Sequence, residues 1–470
     1  MWQNIILLSA TLLLSGCLSR NKVSEQALTL FSNGDYTRLQ TFSDSLKAIG
    51  YSGADRRYVD SLLDISRRIR YDFPLVADTV KNRLRRRGFV FDEALFNKWV
   101  QSGMLESLFY EGQLHFFKRS VSNFVLRQQR QQQSGNRGLI PDRFQYFLIN
   151  QATAVMHSVK DSLAICCPVD FELTFSLVVD ANAVPAGEAI RCWLPVPRRD
   201  LIRQQNVELL STFPPQSIPI VDSLDHQALY LEAIAVRDSA TRFEAKYRYR
   251  SYAQYFDPAT MQPEPYDRRS ALYQKYTREE LPHIVFNDDV RQLAAQIPGD
   301  WQDPLEAVTN IYRWINDHVM WVGAVEYGIQ DTIPSFVLRS RTGDCGMQTF
   351  LFMSLARFKG IPVRWQSGWM LHPGEENLHD WCEVYYEGVG WVPVDVSFNL
   401  LQDEYARNFY ITGIDAYRLV VNHGVAGSFA PLKVHFRSEP YDFQRGEVEW
   451  RGGNIYFNQW RYHLDVSVLE

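Results

Sequence analysis

Between residues 169 and 250 the chain alternates. Phe171, Leu173, Phe175, Leu177 and Val179 are apolar, and Glu172, Thr174, Ser176 and Asp180 are interleaved with them. Successive side chains leave a strand on opposite faces, so period two marks a strand with one buried face. The pattern returns in Phe243, Ala245, Tyr247 and Tyr249, and the runs at 189–194 and 228–235 read as further strands. Pro195, Pro197, Pro214, Pro215 and Pro219 fall between them, where turns belong. Residues 166–255 are therefore expected to form a β-sandwich.

Elsewhere the period is helical. Residues 18–165 are expected to be a helical domain, because Leu75 to Arg130 holds few Gly or Pro and mixes apolar residues with Arg, Lys and Gln. Gln128 to Arg137 is a polar, Gln-rich run and reads as a solvated loop. The basic run Arg83-Leu84-Arg85-Arg86-Arg87 reads as one solvated helical face. Helical signals resume in a core spanning 270–400. Asp303-Pro304-Leu305-Glu306 offers a cap, a proline at the first helical position and a glutamate at the third. Leu305, Val308, Ile311, Tyr312, Ile315 and Val319 then share one face. Residues 401–470 form a β-rich extension with a final strand at 460–469. The whole is an α+β multidomain chain.

The amino-terminal residues stand apart from the fold. Ile5 to Leu14 is apolar but too short to span a bilayer. It runs into Leu14-Ser15-Gly16-Cys17, which resembles a bacterial lipobox. Residues 1–17 are thus expected to be a lipoprotein signal peptide, with Cys17 lipidated. That places the protein in the cell envelope, anchored to a membrane by lipid, facing the periplasm and held at the outer membrane. A plain secretory signal or an uncleaved anchor is the alternative.

Composition narrows the classes. Hydrophobic residues make up 46% and charged residues 22%, as in ordinary globular chains, and the net charge of −5 points to neither nucleic acid nor an anionic membrane surface as partner. Besides Cys17 there are Cys166, Cys167, Cys192, Cys345 and Cys382. The count is odd, so at least one thiol stays unpaired even in an oxidising compartment. Cys166 and Cys167 are adjacent and ill placed to pair with each other, and a disulfide from one of them to Cys192 remains open. No CxxC pair and no calcium loop appears, so neither a metal nor another cofactor is expected.

One segment carries chemistry. Gly343-Asp344 reads as a turn and helix cap in front of Cys345. Phe350, Leu351, Phe352, Met353, Leu355, Ala356 and Phe358 make the following helix apolar nearly all round, so it should be buried. Gly360 and Pro362 end it. Cys345 then sits at a helix N-terminus, where the dipole favours the thiolate. Further on, Trp381 to Tyr386 and Trp391 to Val396 read as a hairpin about Glu387-Gly388-Val389-Gly390. His379 precedes its first strand and Asp395 lies near the end of its second, which brings the two together. A thiol, an imidazole and a carboxylate so placed could act as nucleophile, base and orienting acid.

Four blocks in this order resemble the transglutaminase-like core of the papain-like cysteine superfamily. They are Gly343-Asp344-Cys345-Gly346, Leu355 to Arg364, His379-Asp380-Trp381-Cys382-Glu383-Val384-Tyr385 and Gly390-Trp391-Val392-Pro393-Val394-Asp395. The resemblance covers roughly 285–400 and implies a cysteine enzyme with Cys345 as nucleophile, His379 as base and Asp395 as orienting acid. It implies acyl chemistry on an amide of a protein or peptide, most simply hydrolysis by a peptidase or deamidase. A crosslinking transglutaminase and a non-catalytic envelope scaffold are the alternatives. In such enzymes an upstream Trp, Tyr or Gln helps the cysteine N–H to bind the oxyanion. Trp321 is the candidate here, against the reading of a core aromatic. Cys382 reads as packing and His372 as a solvated loop residue.

Overall fold

In the computed structural model the described residues are 22–133, 142–159, 164–215, 218–299 and 302–469. The signal peptide expected at 1–17 and the lipidation candidate Cys17 lie outside them. The chain forms two compact units. One comprises the residues up to Leu139 together with Val322–Phe336, and the other comprises Ile140–Trp321 with Val337–Glu470.

The first unit is mainly helical, with described helices at Lys22–Ser32, Tyr36–Ala48, Ala54–Asp72, Ala77–Arg86, Glu93–Gln101 and Ser120–Gln133. It also contains a three-stranded antiparallel sheet that the helical pattern did not announce, ordered Leu75–Val76, Gln113–Phe116, Ser107–Tyr110. Its hairpin turns on Glu111 and Gly112, both with positive φ (49° and 75°), a two-residue turn whose twist suits the flanking strands. Strands of four residues are too short to display an alternation. Val80, Leu84, Phe96, Leu105, Phe116, Val121 and Phe124 form the core. The distant segment 322–336 is stitched in by polar contacts. Asn123 Nδ2 donates to the Gly323 carbonyl (2.9 Å), Gly323 N–H donates back to Asn123 Oδ1 (3.0 Å), and Arg68 pairs with Glu326 (2.6 Å).

The second unit holds the expected sandwich strands and more. One sheet runs Gly413–Ile414, Thr241–Tyr255, Ile165–Val179, Trp460–Leu469, with Gln204–Phe213 also paired to Thr241–Tyr255. The other runs Gly453–Asn454, Glu447–Trp450, Ala189–Pro195, Ala228–Ile234. Strands from the β-rich tail thus complete both sheets, with Leu464 opposite Phe175. Phe171, Leu173, Phe175, Leu177 and Val179 are all buried, as their alternation requires.

A third sheet carries the chemistry. Its antiparallel order is Gly390–Val394, Asn377–Tyr386, Val363–Met370, Arg418–His423. Helix Cys345–Phe358 lies against it, with Phe350 stacked on Trp365 (4.5 Å between centroids). Residues 346 to 357 of this helix are buried, in line with the apolar run. The Asp344 side chain accepts the Met347 N–H (3.0 Å) at its start. Gly360, at φ +79°, closes the far end, where the Ile361 N–H reaches the Ala356 carbonyl. Helix Pro304–His318 packs alongside, capped by Asp303, which accepts from the Leu305 and Glu306 N–H groups.

Candidate active site

Cys345 is the first residue of the buried helix. Its thiol donates to Asp380 Oδ2 at 3.6 Å, and among the described residues no hydrogen bond joins it to His379. The helix start was expected to favour the thiolate. The thiol is instead pushed well up, by burial first and then by the carboxylates of Asp380 and Asp344. Burial, with the nearby carboxylates, outweighs the helix dipole.

His379 lies within strand Asn377–Tyr386 and is buried. Its Nε2 meets Asp395 Oδ2 at 2.7 Å. The ring is fixed on both sides, stacked near Trp381 (5.7 Å, 24°) and edge-on to Phe398 (4.9 Å, 69°). Asp395 does not lie in a strand as expected. Its strand ends at Val394, and Asp395 opens the short 3₁₀ turn Val396–Phe398. Helix Pro304–His318 anchors this turn, because Tyr312 O–H donates to the carbonyls of Asp395 (3.0 Å) and Asn399 (2.9 Å).

Burial alone would push the Asp395 carboxyl up, but His379 and Arg418 outweigh it and hold the group below its usual value. Asp395 is therefore an anion that accepts, and Nε2 of His379 carries the hydrogen. The lone pair falls on Nδ1, for which no hydrogen-bond partner is found among the described residues.

Behind this pair lies a buried network that local spacing did not reveal. Arg418 reaches Asp395 Oδ2 at 3.0 Å and Asp415 Oδ2 at 3.4 Å, with its guanidinium 4.1 Å from the Phe398 ring centroid. Asp415 also meets His372 Nε2 (3.1 Å) and accepts from Tyr410 O–H (2.9 Å). His372 is thus fully buried and is no solvated loop residue. Phe144, Phe147 and Tyr417 surround it, and Asp415 and Arg418 are its polar partners. Arg418 and Asp415 come from a strand and loop downstream of the hairpin, with no motif to mark them.

The remaining candidates fall as follows. Trp321 pairs in a short parallel bridge with Gly343, beside the turn that leads into Cys345. It is 41% exposed, so it is not a core aromatic. Cys382 is buried packing, as expected. Cys166, Cys167 and Cys192 are free thiols, so the disulfide left open by the sequence is not formed.

Residues 291–396 match the family model described as Transglutaminase-like superfamily. This segment is a transglutaminase-like domain. Its limits enclose Cys345, His379 and Asp395, while Arg418 and Asp415 stand beyond them. Among solved structures, a "putative cysteine protease" of Cytophaga hutchinsonii is similar at 13% identity with a TM-score of 0.45, covering 65% of this chain and 92% of that one. The periplasmic domain of TgpA from Pseudomonas aeruginosa is similar at 16% identity with a TM-score of 0.27, covering 53% of this chain and 91% of that one. No curated protein sequence matches the chain.

Proposed function

We propose that the transglutaminase-like domain is a cysteine hydrolase acting on an amide bond of a protein or peptide, in a chain held at the bacterial envelope through lipid on Cys17. The observation that carries the reading is the 2.7 Å contact of His379 Nε2 with Asp395, which leaves Nδ1 as the basic nitrogen in a domain that also supplies a capped helix-start cysteine.

Nδ1 takes the proton of the Cys345 thiol as the sulfur attacks the carbonyl carbon. The oxyanion is met by the Cys345 N–H and by the Trp321 indole N–H. As the C–N bond breaks, the imidazolium returns its proton to the leaving nitrogen, and a thioester remains on Cys345. Water, deprotonated by the same nitrogen, then attacks the thioester and releases the acid. Asp395 holds the ring and its tautomer throughout. Because burial raises the thiol, the sulfur rests protonated and its proton moves during attack.

The test is incubation of the full chain with a peptide mixture, read by mass spectrometry for cleavage, deamidation or amine incorporation. Hydrolytic products that vanish in Cys345→Ala and His379→Ala are expected. Amine incorporation that outpaces hydrolysis would replace hydrolase by crosslinking enzyme. Products that persist in Cys345→Ala would overturn the reading. So would an absence of any product, if iodoacetamide also alkylated Cys345 equally fast with and without His379.

A further inference from the structure

The amino-terminal unit carries a charge pattern that the proposed reaction does not use. The run Arg83-Leu84-Arg85-Arg86-Arg87 closes helix Ala77–Arg86, and its Leu84 is buried in one core with Val80 and Val121. Arg83, Arg86 and Arg87 are exposed and stand three and four positions apart, so they share one side of the helix end. Arg85 leaves in another direction, with its guanidinium 5.2 Å from the Phe91 ring centroid.

Together with Lys118, Val121 and Ser122, the three arginines line a cleft of about 290 Å³. Sites that take small molecules span about 300–1,000 Å³, and this cleft stands at their lower end. Lys118 lies just before helix Ser120–Gln133, and Val121 and Ser122 belong to that helix's first turn. Four cationic side chains from two separate segments thus converge on one space, and its lining includes no acidic residue.

Elsewhere in this unit cations are matched. Lys81, on the same helix as the arginines, pairs with Glu93 (2.7 Å), Arg68 pairs with Asp64 (2.7 Å), and Arg70 pairs with Glu111 (2.5 Å). In the cleft Lys118 has the buried Asp72 at 2.7 Å, and its Nζ lies 4.0 Å from the Tyr71 ring centroid. Among the described residues Arg83, Arg86 and Arg87 form no ion pair. Cations suit the C-terminal end of helix Ala77–Arg86, where the dipole is negative. That accounts for arginines at this helix end and not for their meeting Lys118 and the positive end of a second helix. Like charges so gathered repel one another, and an anion between them removes the repulsion.

We propose that this cleft binds a phosphomonoester group. Guanidinium forks match phosphate oxygens with paired hydrogen bonds, Lys118 adds a point charge, and the Ser122 hydroxyl can donate. A dianion answers more of the four charges than a single carboxylate does. A lipid head group and a soluble phosphate ester both present this chemistry. The site takes no part in the amide reaction and stands whether or not that reaction is the one proposed.

Calorimetric titration of the full chain tests this, at about 0.15 M salt, where diffuse attraction is screened beyond about 8 Å. The probes are glycerol 3-phosphate and dihexanoyl phosphatidic acid, with dihexanoyl phosphatidylcholine as the lipid that lacks a phosphomonoester. Saturable binding of a phosphomonoester probe is expected, weakened about tenfold or more in Arg83→Gln/Arg87→Gln. Arg85→Gln removes the same charge from the same run but outside the cleft, and should change affinity by less than about twofold. A preference for phosphatidic acid beyond about tenfold assigns the group to a lipid, and anything less assigns it to a soluble ester. Ser122→Asp supplies a second variant. An acid in the first turn suits the helix dipole, so the fold is kept, while its charge on the cleft wall should abolish binding. No binding of either phosphomonoester, equal binding of phosphatidylcholine, or equal weakening by Arg85→Gln overturns the proposal. So does binding that survives Ser122→Asp.

Discussion

Arg418 Nη2 lies 3.0 Å from Oδ2 of Asp395, the same oxygen that meets His379 Nε2 at 2.7 Å. One buried carboxylate oxygen thus serves two cationic or polar partners. The arginine also reaches Asp415, so each carboxylate is balanced by a partner that the other helps to hold.

Removing Arg418 should therefore cost more than a surface ion pair. Arg418→Gln leaves two buried carboxylates short of charge, and breaking a buried pair on one side costs about 3–5 kcal/mol. Urea denaturation of Arg418→Gln should show that loss. A change under about 1 kcal/mol would mean that the network is not formed as described.

The same network fixes an acid limit. Burial pushes Asp415 up, but Arg418 and His372 outweigh it and hold it well below its usual value. A depressed folded-state pKa stabilises above the unfolded value, and the contribution fades as pH falls. The stability gap between wild type and Asp415→Asn should be full above about pH 4 and shrink below it. Denaturation curves at several pH values check this, and a gap that widens on acidification would contradict the sign.

Gly368 has no room for a side chain. An added Cβ would stand 1.8 Å from the Leu419 carbonyl oxygen, next to Arg418 on the paired strand. Gly368→Ala should force that strand away, with overpacking of about 1–3 kcal/mol or more. Lower expression or a lower thermal midpoint is expected, together with slower turnover as Arg418 shifts.

Trp321 offers a separable test. Trp321→Phe keeps a ring but deletes the indole N–H. If that N–H meets the oxyanion, turnover should fall by about 10²–10³-fold while Cys345 alkylation is unchanged. Equal turnover would leave the oxyanion to the Cys345 N–H.

Legibility followed the length of each pattern. The strand at Trp460–Leu469, the sandwich strands with alternating faces, and the apolar helix after Cys345 were all readable, because each repeats its signal over many residues. Gln204–Phe213 was not, since only one of its ten residues is buried and its sequence shows no apolar face. His379 and Asp395 were readable through hairpin logic, although the last residue before the 3₁₀ turn was taken for strand. Arg418 and Asp415 were not readable. Their roles come from long-range charge compensation, which leaves no local periodicity.

The segment 322–336 has a consequence for how such a chain can be divided. The backbone leaves the second unit after Trp321, contributes a short stretch to the helical unit, and returns only eight residues before Cys345. The helical unit is therefore discontinuous in sequence, and no single cut at a domain boundary can excise it whole. Recombination that swapped the amino-terminal part for another would orphan this stretch, with Gly323 and Glu326 deprived of Asn123 and Arg68.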